Sequence, residues 1–399
     1  ALISHVRGRG KKNPYDPEQS VALLARSFFA DDDGGADSEI HTIIRGRADL
    51  ISSRCPEDKD DPPIIREELI RAVDSFNPKK APGQDGFTSD ICRHAIYTEI
   101  EILLAILNRC LDLACFPTPW KEASVVVLRK PACPDYTHVK LYRLIGLLPI
   151  LGKTYEKVIC RRIRWHVLPQ SNGRQYGSTP QKGTEDALYY LLRHIRGVLH
   201  NKETALIVSL DIEGAFHRAW WPAIKCRMMD KNVPINLRRV VEDYLLDSTV
   251  AVNYAGREAR KAQTKGCVQG SIGGPLFWNL LLDPLLDELE GMGVYVQAFA
   301  DNIVLVFSGQ TALEIQRSAG AALTCVHDWG VANKLRFSVG KSQAMIITRK
   351  LKSDTPVVQM DGVDIPMVTE LKILGVIVDS KLTFNTHVSY VCRKGTPTG

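Results

Sequence analysis

A chain of 399 residues is longer than one simple core accommodates, so two or three subdomains are expected. Its 45% hydrophobic and 7% aromatic content excludes a disordered chain. No apolar run approaches the roughly 20 residues of a membrane span, so no membrane partner is expected. The net charge of +6 says little by itself, but its distribution is uneven. From Arg129 to Lys202, the bases Arg129, Lys130, Lys140, Arg143, Lys153, Lys157, Arg161, Arg162, Arg164, Arg174, Lys182, Arg193, Arg196 and Lys202 meet only a few acids. Such a run suits either a solvated surface or a phosphate backbone. The cysteines, Cys133 among them, form no Cys-x-x-Cys pair and read as reduced, mostly buried thiols of an intracellular protein. Cys325 and His327 lack a second ligand pair, which excludes a metal site there.

The chain starts at Ala1 without an initiator Met or signal peptide and is expected to be a fragment of a longer protein. Residues 1–63 read as an extension: the basic Arg7–Lys12, a helix over 17–30, an acidic turn at 31–35, and Pro62-Pro63. Residues 67–76 have helical spacing, with Leu69, Ile70, Val73 and Phe76 on one side. A basic, turn-rich loop follows at Asn77–Gly86, then helices over 89–114. Ser124–Leu128 is a strand leading into Arg129-Lys130, and Gly152–Val167 a basic amphipathic helix. The spacing predicts a helix over 184–200 with Thr184 as N-cap, an apolar strand ending in Asp211, and helix over 220–245. Beyond lie a hairpin at 250–264, a long apolar helix at Pro275–Leu289, a second hairpin around Asp301 and a helix over 312–329. Strands at 335–339 and 343–348 and a strand pair within 357–378 complete the pattern. Helices mixed with antiparallel strands, without regular βαβ units, make the class α+β.

Two carboxylates carry the chemistry. Asp211 ends the run Ala205–Leu210, and Ala300-Asp301-Asn302 separates two β-branched and aromatic runs. Side by side, these strands would hold Asp211 and Asp301 together at a sheet edge, as two magnesium ions require for in-line phosphoryl transfer. Read singly, each segment is better explained as ordinary turn chemistry. Between them, Gly266-Cys-Val-Gln-Gly-Ser-Ile-Gly-Gly-Pro275 opens the long helix with enough glycine for close backbone approach, and Gln269 is suited to a base or sugar edge. Lys341 follows the run at 335–339 and read alone is a surface charge.

Taken in order, the Asp211 strand, Gly-Cys-Val-Gln-Gly, Phe-Ala-Asp-Asn and Leu-Arg-Phe-Ser-Val-Gly-Lys resemble the palm of a reverse transcriptase, and more narrowly that of the non-LTR (LINE-like) retrotransposons. Upstream, Lys80-Ala-Pro-Gly-Gln-Asp-Gly86, Tyr142–Lys153, Gln175-Tyr-Gly177 and Thr184-Glu-Asp-Ala187 agree, as does Leu371–Asp379 downstream. The wording Asp-Ile-Glu-Gly-Ala-Phe is most similar to type-one elements that insert into ribosomal DNA. The resemblance spans about Ile64 to His387. It implies a right-hand polymerase fold with fingers and palm over 64–387 and a truncated thumb starting at 388–399.

The resemblance also implies roles. Asp211, the Ile212 carbonyl and Asp301 would hold two Mg²⁺ ions, with Mn²⁺ as an alternative, and Asn302 completes the catalytic motif. Phe216 matches the gate that excludes a 2′-hydroxyl; Gln269 and Gly270 would contact the nascent pair. Arg129, Lys130 and Arg143 match positions that neutralise the dNTP triphosphate, and Lys341 matches a lysine that protonates pyrophosphate. Leu374-Gly375 lies in a primer-holding hairpin. Lys153, Lys157 and Arg161 would line the template path. Implied partners are an RNA template, a DNA primer or target DNA, and dNTPs. The implied location is the nucleus, with cytoplasmic passage as a ribonucleoprotein, and the family places an endonuclease upstream.

Several positions depart from the family pattern. Asn302 replaces an Asp, His217 an Asp, Val268 a Pro, Leu144 a Pro, Gly146 a small hydroxyl or thiol residue, and Ser178 an aromatic. Together these point to a decayed genomic copy. The leading reading is therefore an RNA-directed DNA polymerase segment; the rival is an inactive, nucleic-acid-binding relic of the same fold. A telomerase-like cellular polymerase is disfavoured, since no dedicated RNA-binding extension is evident.

Overall fold

A computed structural model of the chain describes residues 16–131, 136–350 and 354–395. The basic run Arg7–Lys12 and Cys133 lie outside them. In chain order, helices α1 (Pro17–Phe28), α2 (Glu39–Ala48), α3 (Arg66–Asp74), α4 (Ser89–Thr98) and α5 (Ile100–Asp112) precede strands β1 (Glu122–Arg129) and β2 (Tyr142–Leu147). Helices α6 (Ile150–Val167) and α7 (Thr184–His200) follow, then strand β3 (Thr204–Asp211), helices α8 (Ala215–Arg218), α9 (Trp221–Asp230) and α10 (Ile235–Leu245), and the hairpin β4 (Thr249–Tyr254) and β5 (Arg257–Ala262). After α11 (Gly273–Gly291) come β6 (Tyr295–Phe299), β7 (Asn302–Gly309), α12 (Ala312–Ala332) and β8 (Gln343–Ile347). The hairpins β9 (Gln359–Met360)–β10 (Val363–Asp364) and β11 (Glu370–Ile373)–β12 (Val376–Asp379) and helix α13 (Asn385–Gly395) complete the described chain. At 47% helix and 18% strand, the class is mixed helix and sheet, as expected.

The chain divides into two compact units, 1–171 with 216–281 and 172–215 with 282–399. The first is built on a four-stranded sheet of order β2-β1-β4-β5, in which only β1 and β4 run parallel. Helix α1, from the stretch read as an extension, is part of this core. Its Val21, Leu24 and Ala25, with Phe29 beyond, pack on Ala123, Val125, Tyr142, Leu144, Val250 and Val252. Spacing alone does not separate a helix that docks from one that trails, because both present one apolar face. The tie at the other end of the stretch is Arg162 of α6, buried against Asp61 at 2.7 Å and Glu68 at 2.5 Å. That arginine is structural and leaves the basic run.

The second unit is organised on an antiparallel sheet of order β6-β7-β3-β8. Ala205–Val208 and Leu210 are buried, so β3 is the central strand, covered on both faces. Leu191, Ile195 and Val198 of α7 cover one face together with Leu371, Ile373 and Val378 of the β11–β12 hairpin. The cap of α7 is Gly183, not Thr184: the Asp186 carboxylate accepts the Gly183 N–H at 2.7 Å, so the helix starts at the threonine. Residues 335–339, expected as a strand, form only an isolated bridge between Phe337 and Ile212. The expected strand pair within 357–378 is two hairpins. Positive φ at Asp361 and Gly362 turns the first, and at Leu374 and Gly375 the second. The described cysteines are free thiols, mostly buried. Among the described residues, no helix is long and apolar enough to cross a membrane.

Candidate active site

Strand β3 delivers Asp211 to the edge of the second unit's sheet, and the β6–β7 hairpin delivers Asp301 beside it. Phe299 pairs with Asn302, so the loop is the two residues Ala300 and Asp301, with Ala300 in the left-handed region at φ +54°. The turn expected at 300–302 is thus one residue shorter, and Asn302 is the first residue of β7. In the ladder Asn302 lies directly opposite Asp211. Side chains opposite one another share a face of the sheet, so the amide at 302 is the cross-strand neighbour of the Asp211 carboxylate.

The turn is braced from outside. Tyr176 N–H donates to the Ala298 carbonyl at 2.8 Å, and Ala298 N–H donates to the Arg174 carbonyl at 3.0 Å. This backbone comes so near the loop that a Cβ on Gly177 would lie 2.2 Å from the Ala300 nitrogen. On the other side, residues 336–342 strap β3. Ser338 N–H donates to the Asp211 carbonyl at 2.7 Å, and Glu213 N–H to the Arg336 carbonyl at 2.9 Å. Those bonds flank Ile212, whose own carbonyl therefore turns away from the strap, toward the edge that carries β7. The strap brings the Lys341 ammonium to 3.0 Å from Asp211 Oδ2. Asp301 is exposed at the tip, yet desolvation raises its carboxyl above the ordinary range. The Asp211 charge adds to the rise, and Lys341 opposes it.

The Asp211 and Asp301 carboxylates, the Ile212 carbonyl and the Asn302 amide would offer a hard, all-oxygen donor set. Among the described residues no cluster of three or more His, Cys, Asp or Glu assembles. A set this sparse fits magnesium, which keeps several waters and is completed by substrate phosphates, better than an ion that needs an all-protein cage.

The first unit assembles a second group of expected residues. Phe216 lies on α8, its ring 5.7 Å from that of Trp278, and its carbonyl accepts the Cys267 N–H at 2.7 Å. Gln269 and Gly270 follow in the same loop, both exposed. The Gln269 carbonyl accepts the Gly146 N–H at 2.8 Å, which ties the loop to β2. Gly270, at φ +126°, would place a Cβ 2.3 Å from the Gly146 carbonyl oxygen, so no other residue fits there. The loop's far end rests on Glu156, which the sequence reading passed over. Wholly buried in α6, its carboxylate accepts the Gly273 N–H at 2.8 Å and the Tyr244 hydroxyl at 2.9 Å. Burial raises its pKa, partly offset by those donors. The available signal was an acid on the inward side of a basic helix.

The basic residues divide. Arg143 pairs with Leu128 and Arg129 with Tyr142 across the β1–β2 ladder, so the two arginines project from opposite faces. Arg129 stacks on Tyr136 at 5.0 Å, on the face that carries the core, and Lys130 Nζ donates to the Lys140 carbonyl at 2.6 Å. Arg143 is on the open face with the exposed Val126 and Leu128. On α6, Arg161 is exposed, whereas Lys157 bonds Ser75 Oγ and lies 4.9 Å over the Phe76 ring. Desolvation lowers the Lys153 pKa. Leu374 and Gly375 form the tight turn between β11 and β12.

Three of the departures, at 146, 268 and 217, have packing reasons. A Cβ on Gly146 would lie 2.0 Å from Val268 Cγ1, so the missing side chain at 146 and the branched one at 268 accommodate each other. Gly146→Ser is expected to destabilise the protein by about 1–3 kcal/mol through overpacking. Adding Val268→Ala should recover most of that loss in denaturant unfolding. His217 packs edge-on against Phe28 and Phe29 of α1, at 5.5 and 5.7 Å, in a slot where a carboxylate would be desolvated. The same burial pushes the His217 pKa down to about 4. Its unfolded counterpart titrates near 6.5, so within that window the unfolded chain binds more protons and stability falls as pH falls. The loss is about 3 kcal/mol in full. Because Nδ1 has no hydrogen-bond partner among the described residues, His217→Phe should flatten this pH dependence without lowering stability at pH 7. Melting curves across the window check it.

Residues 128–378 match the family described as reverse transcriptase (RNA-dependent DNA polymerase). The chain is 28% identical over 347 residues to a putative 115 kDa protein in a type-1 retrotransposable element of Drosophila melanogaster, covering 84% of this chain and 33% of the relative. It is 28% identical over 338 residues to a Pol polyprotein from type-1 retrotransposable element R1 of Bradysia coprophila, with shares of 84% and 33%. It is 27% identical over 336 residues to the RNA-directed DNA polymerase from mobile element jockey of Drosophila melanogaster, with shares of 82% and 36%. The chain spans about a third of the length of these relatives.

Proposed function

The chain belongs to the reverse transcriptase (RNA-dependent DNA polymerase) family, and from that premise we propose that it is the polymerase segment of a non-LTR retrotransposon Pol polyprotein, extending a DNA primer on an RNA template. The observation that carries the reading is the carboxylate pair, Asp211 on a rigid central strand and Asp301 on a braced two-residue loop, with Lys341 at 3.0 Å from the first. The right-hand description, with fingers and palm over 64–387 and the thumb starting at 388, is part of the same proposal.

The primer 3′-hydroxyl gives its proton to solvent water and attacks the α-phosphorus of a dNTP, and the bond to the bridging oxygen breaks to release pyrophosphate. Divalent ions, magnesium first, would when bound lower the pKa of the hydroxyl and neutralise charge on the leaving group. Asp211, Asp301 and the Ile212 carbonyl would hold them, with the Asn302 amide oxygen as a weak supporting donor. Lys341 gives up its contact with Asp211 and donates to the departing pyrophosphate. Phe216 lies under the incoming sugar, and Gln269 and Gly270 track the nascent pair. Of the basic residues, Arg143 on the open face of β2 is the triphosphate partner, with Lys130 beside it; Arg129 supports them through Tyr136. Lys153, Lys157 and Arg161 follow the template strand, and the Leu374-Gly375 turn holds the primer. Target-primed synthesis in the nucleus accounts for the remaining partners.

Extension of oligo-dT on poly-A with dTTP and Mg²⁺ tests the reading. Extension by this chain, or by its Asn302→Asp variant, is expected; none by either counts against it. Phe216→Val should admit ribonucleotides, raising their use relative to deoxynucleotides by about 10- to 100-fold. Unchanged sugar selectivity would remove Phe216 from the gate.

A further inference from the structure

The second unit carries another concave feature at the opposite end of β3. An open cleft of about 460 Å³ runs along α7 from Tyr190 to Asn201. One wall is a stack of rings, with His194 lying flat on Tyr295 at 4.0 Å and 14° and the Arg174 guanidinium 4.8 Å over Tyr295. Glu290 reaches Arg174 Nε at 3.3 Å, which fixes the guanidinium in that stack. Tyr190 is 44% exposed, and beside it in sequence Tyr189 is 60% exposed, an unusual outlay of aromatic surface on one helix. Arg193 is exposed, and among the described residues no carboxylate is paired with it.

Gly197 forms part of the lining. A glycine inside a helix weakens it, and nothing in the fold demands this one. It lies in regular helix, and a Cβ built on it meets nothing within 4 Å. Its missing side chain keeps the cleft open. Glu203 at the rim precedes β3, and Ser308 pairs with Ala205 at the strand's beginning, whereas Asp211 closes the strand. At the rise of an extended strand, the cleft lies about 20 Å from the carboxylates.

We propose that this cleft seats one nucleotide of a single-stranded RNA, apart from the polymerisation centre. Tyr190, its ring tilted against Tyr176 at 6.3 Å and edge-on to Tyr189 at 5.4 Å, offers its exposed part as the surface on which a base stacks, and Arg193 offers a charge for the adjoining phosphate. The Glu203 carboxylate is an acceptor for ribose hydroxyls, the chemistry by which a site tells RNA from DNA. Gly197 leaves room for the base to lie against the helix. The site does not depend on the polymerase reading, since none of its residues belongs to the catalytic set.

The test is ultraviolet crosslinking of the full chain to a short bromouracil-containing RNA, with a primer–template duplex in excess to occupy any polymerisation centre. Crosslinks in the peptide 184–203 are expected. In fluorescence anisotropy under the same conditions, Tyr190→Ala should weaken RNA binding about tenfold or more. Gly197→Leu fills the cleft and raises helix propensity, so it should weaken binding comparably while the melting temperature holds or rises. Primer extension should survive both substitutions. Wild-type RNA affinity in Gly197→Leu, or crosslinks confined to other peptides, overturns the proposal. Equal affinity for the matched DNA strand refutes RNA as the ligand. Uridine monophosphate competing as well as the oligonucleotide would assign the cleft to a free nucleotide instead.

Discussion

Asp211→Asn is expected to reduce primer extension by about a thousandfold while leaving the fold intact. The backbone at 211 is fixed by the β3–β7 ladder and by the Ser338 N–H on its carbonyl, neither of which uses the side chain. What is lost is one of the two negative charges proposed to hold divalent ions, together with the partner of Lys341. Single-turnover extension over a range of Mg²⁺ concentrations reads the effect, and circular dichroism checks the fold. Activity within tenfold of the parent would exclude Asp211 from the chemistry.

The second large effect has the opposite sign. Asn302→Asp is expected to raise divalent-ion affinity and primer extension by about 10- to 100-fold, the scale on which supporting groups tune a metal site. A second result has to accompany it. Residue 302 faces Asp211 across the ladder, so without metal the variant sets two like charges opposite each other. Thermal stability should then drop by about 0.5–1 kcal/mol, and Mg²⁺ should restore it. On the proposed reading, the asparagine is a weaker ion donor than a carboxylate and avoids that repulsion. Unchanged extension with unchanged metal-free stability would show that 302 takes no part in ion binding.

The accommodations at Gly146–Val268 and at His217 bear on the idea of a decayed copy. Substitutions that accumulate at random leave cavities and clashes. At these positions the neighbours fit instead. Val268 occupies the space that a side chain at 146 would need, and Phe28 and Phe29 form a slot for a neutral ring at 217. Asn302 is different in kind, because its consequence is electrostatic rather than steric.

Much of this was legible in the chain itself. Apolar run lengths located β3, α11 and the β6–β7 hairpin, because a strand buried on both faces and a helix buried all round leave continuous apolar signatures. The order of landmarks identified the family. Periodicity could not say what an amphipathic face packs against. It therefore left α1 outside the fold, although α1 supplies Phe28 and Phe29 to the His217 slot, and it grouped Arg129 with Arg143, although their register puts them on opposite faces. Nor could it show that Glu156 holds the Gln269 loop from a distant helix, or that Asn302 rather than Asp301 lies directly across from Asp211. Composition and local pattern report which residues are apolar and how often they recur. Which charges meet, and which glycines have no room for a side chain, depends on contacts between segments far apart in sequence, and only the tertiary structure decides those.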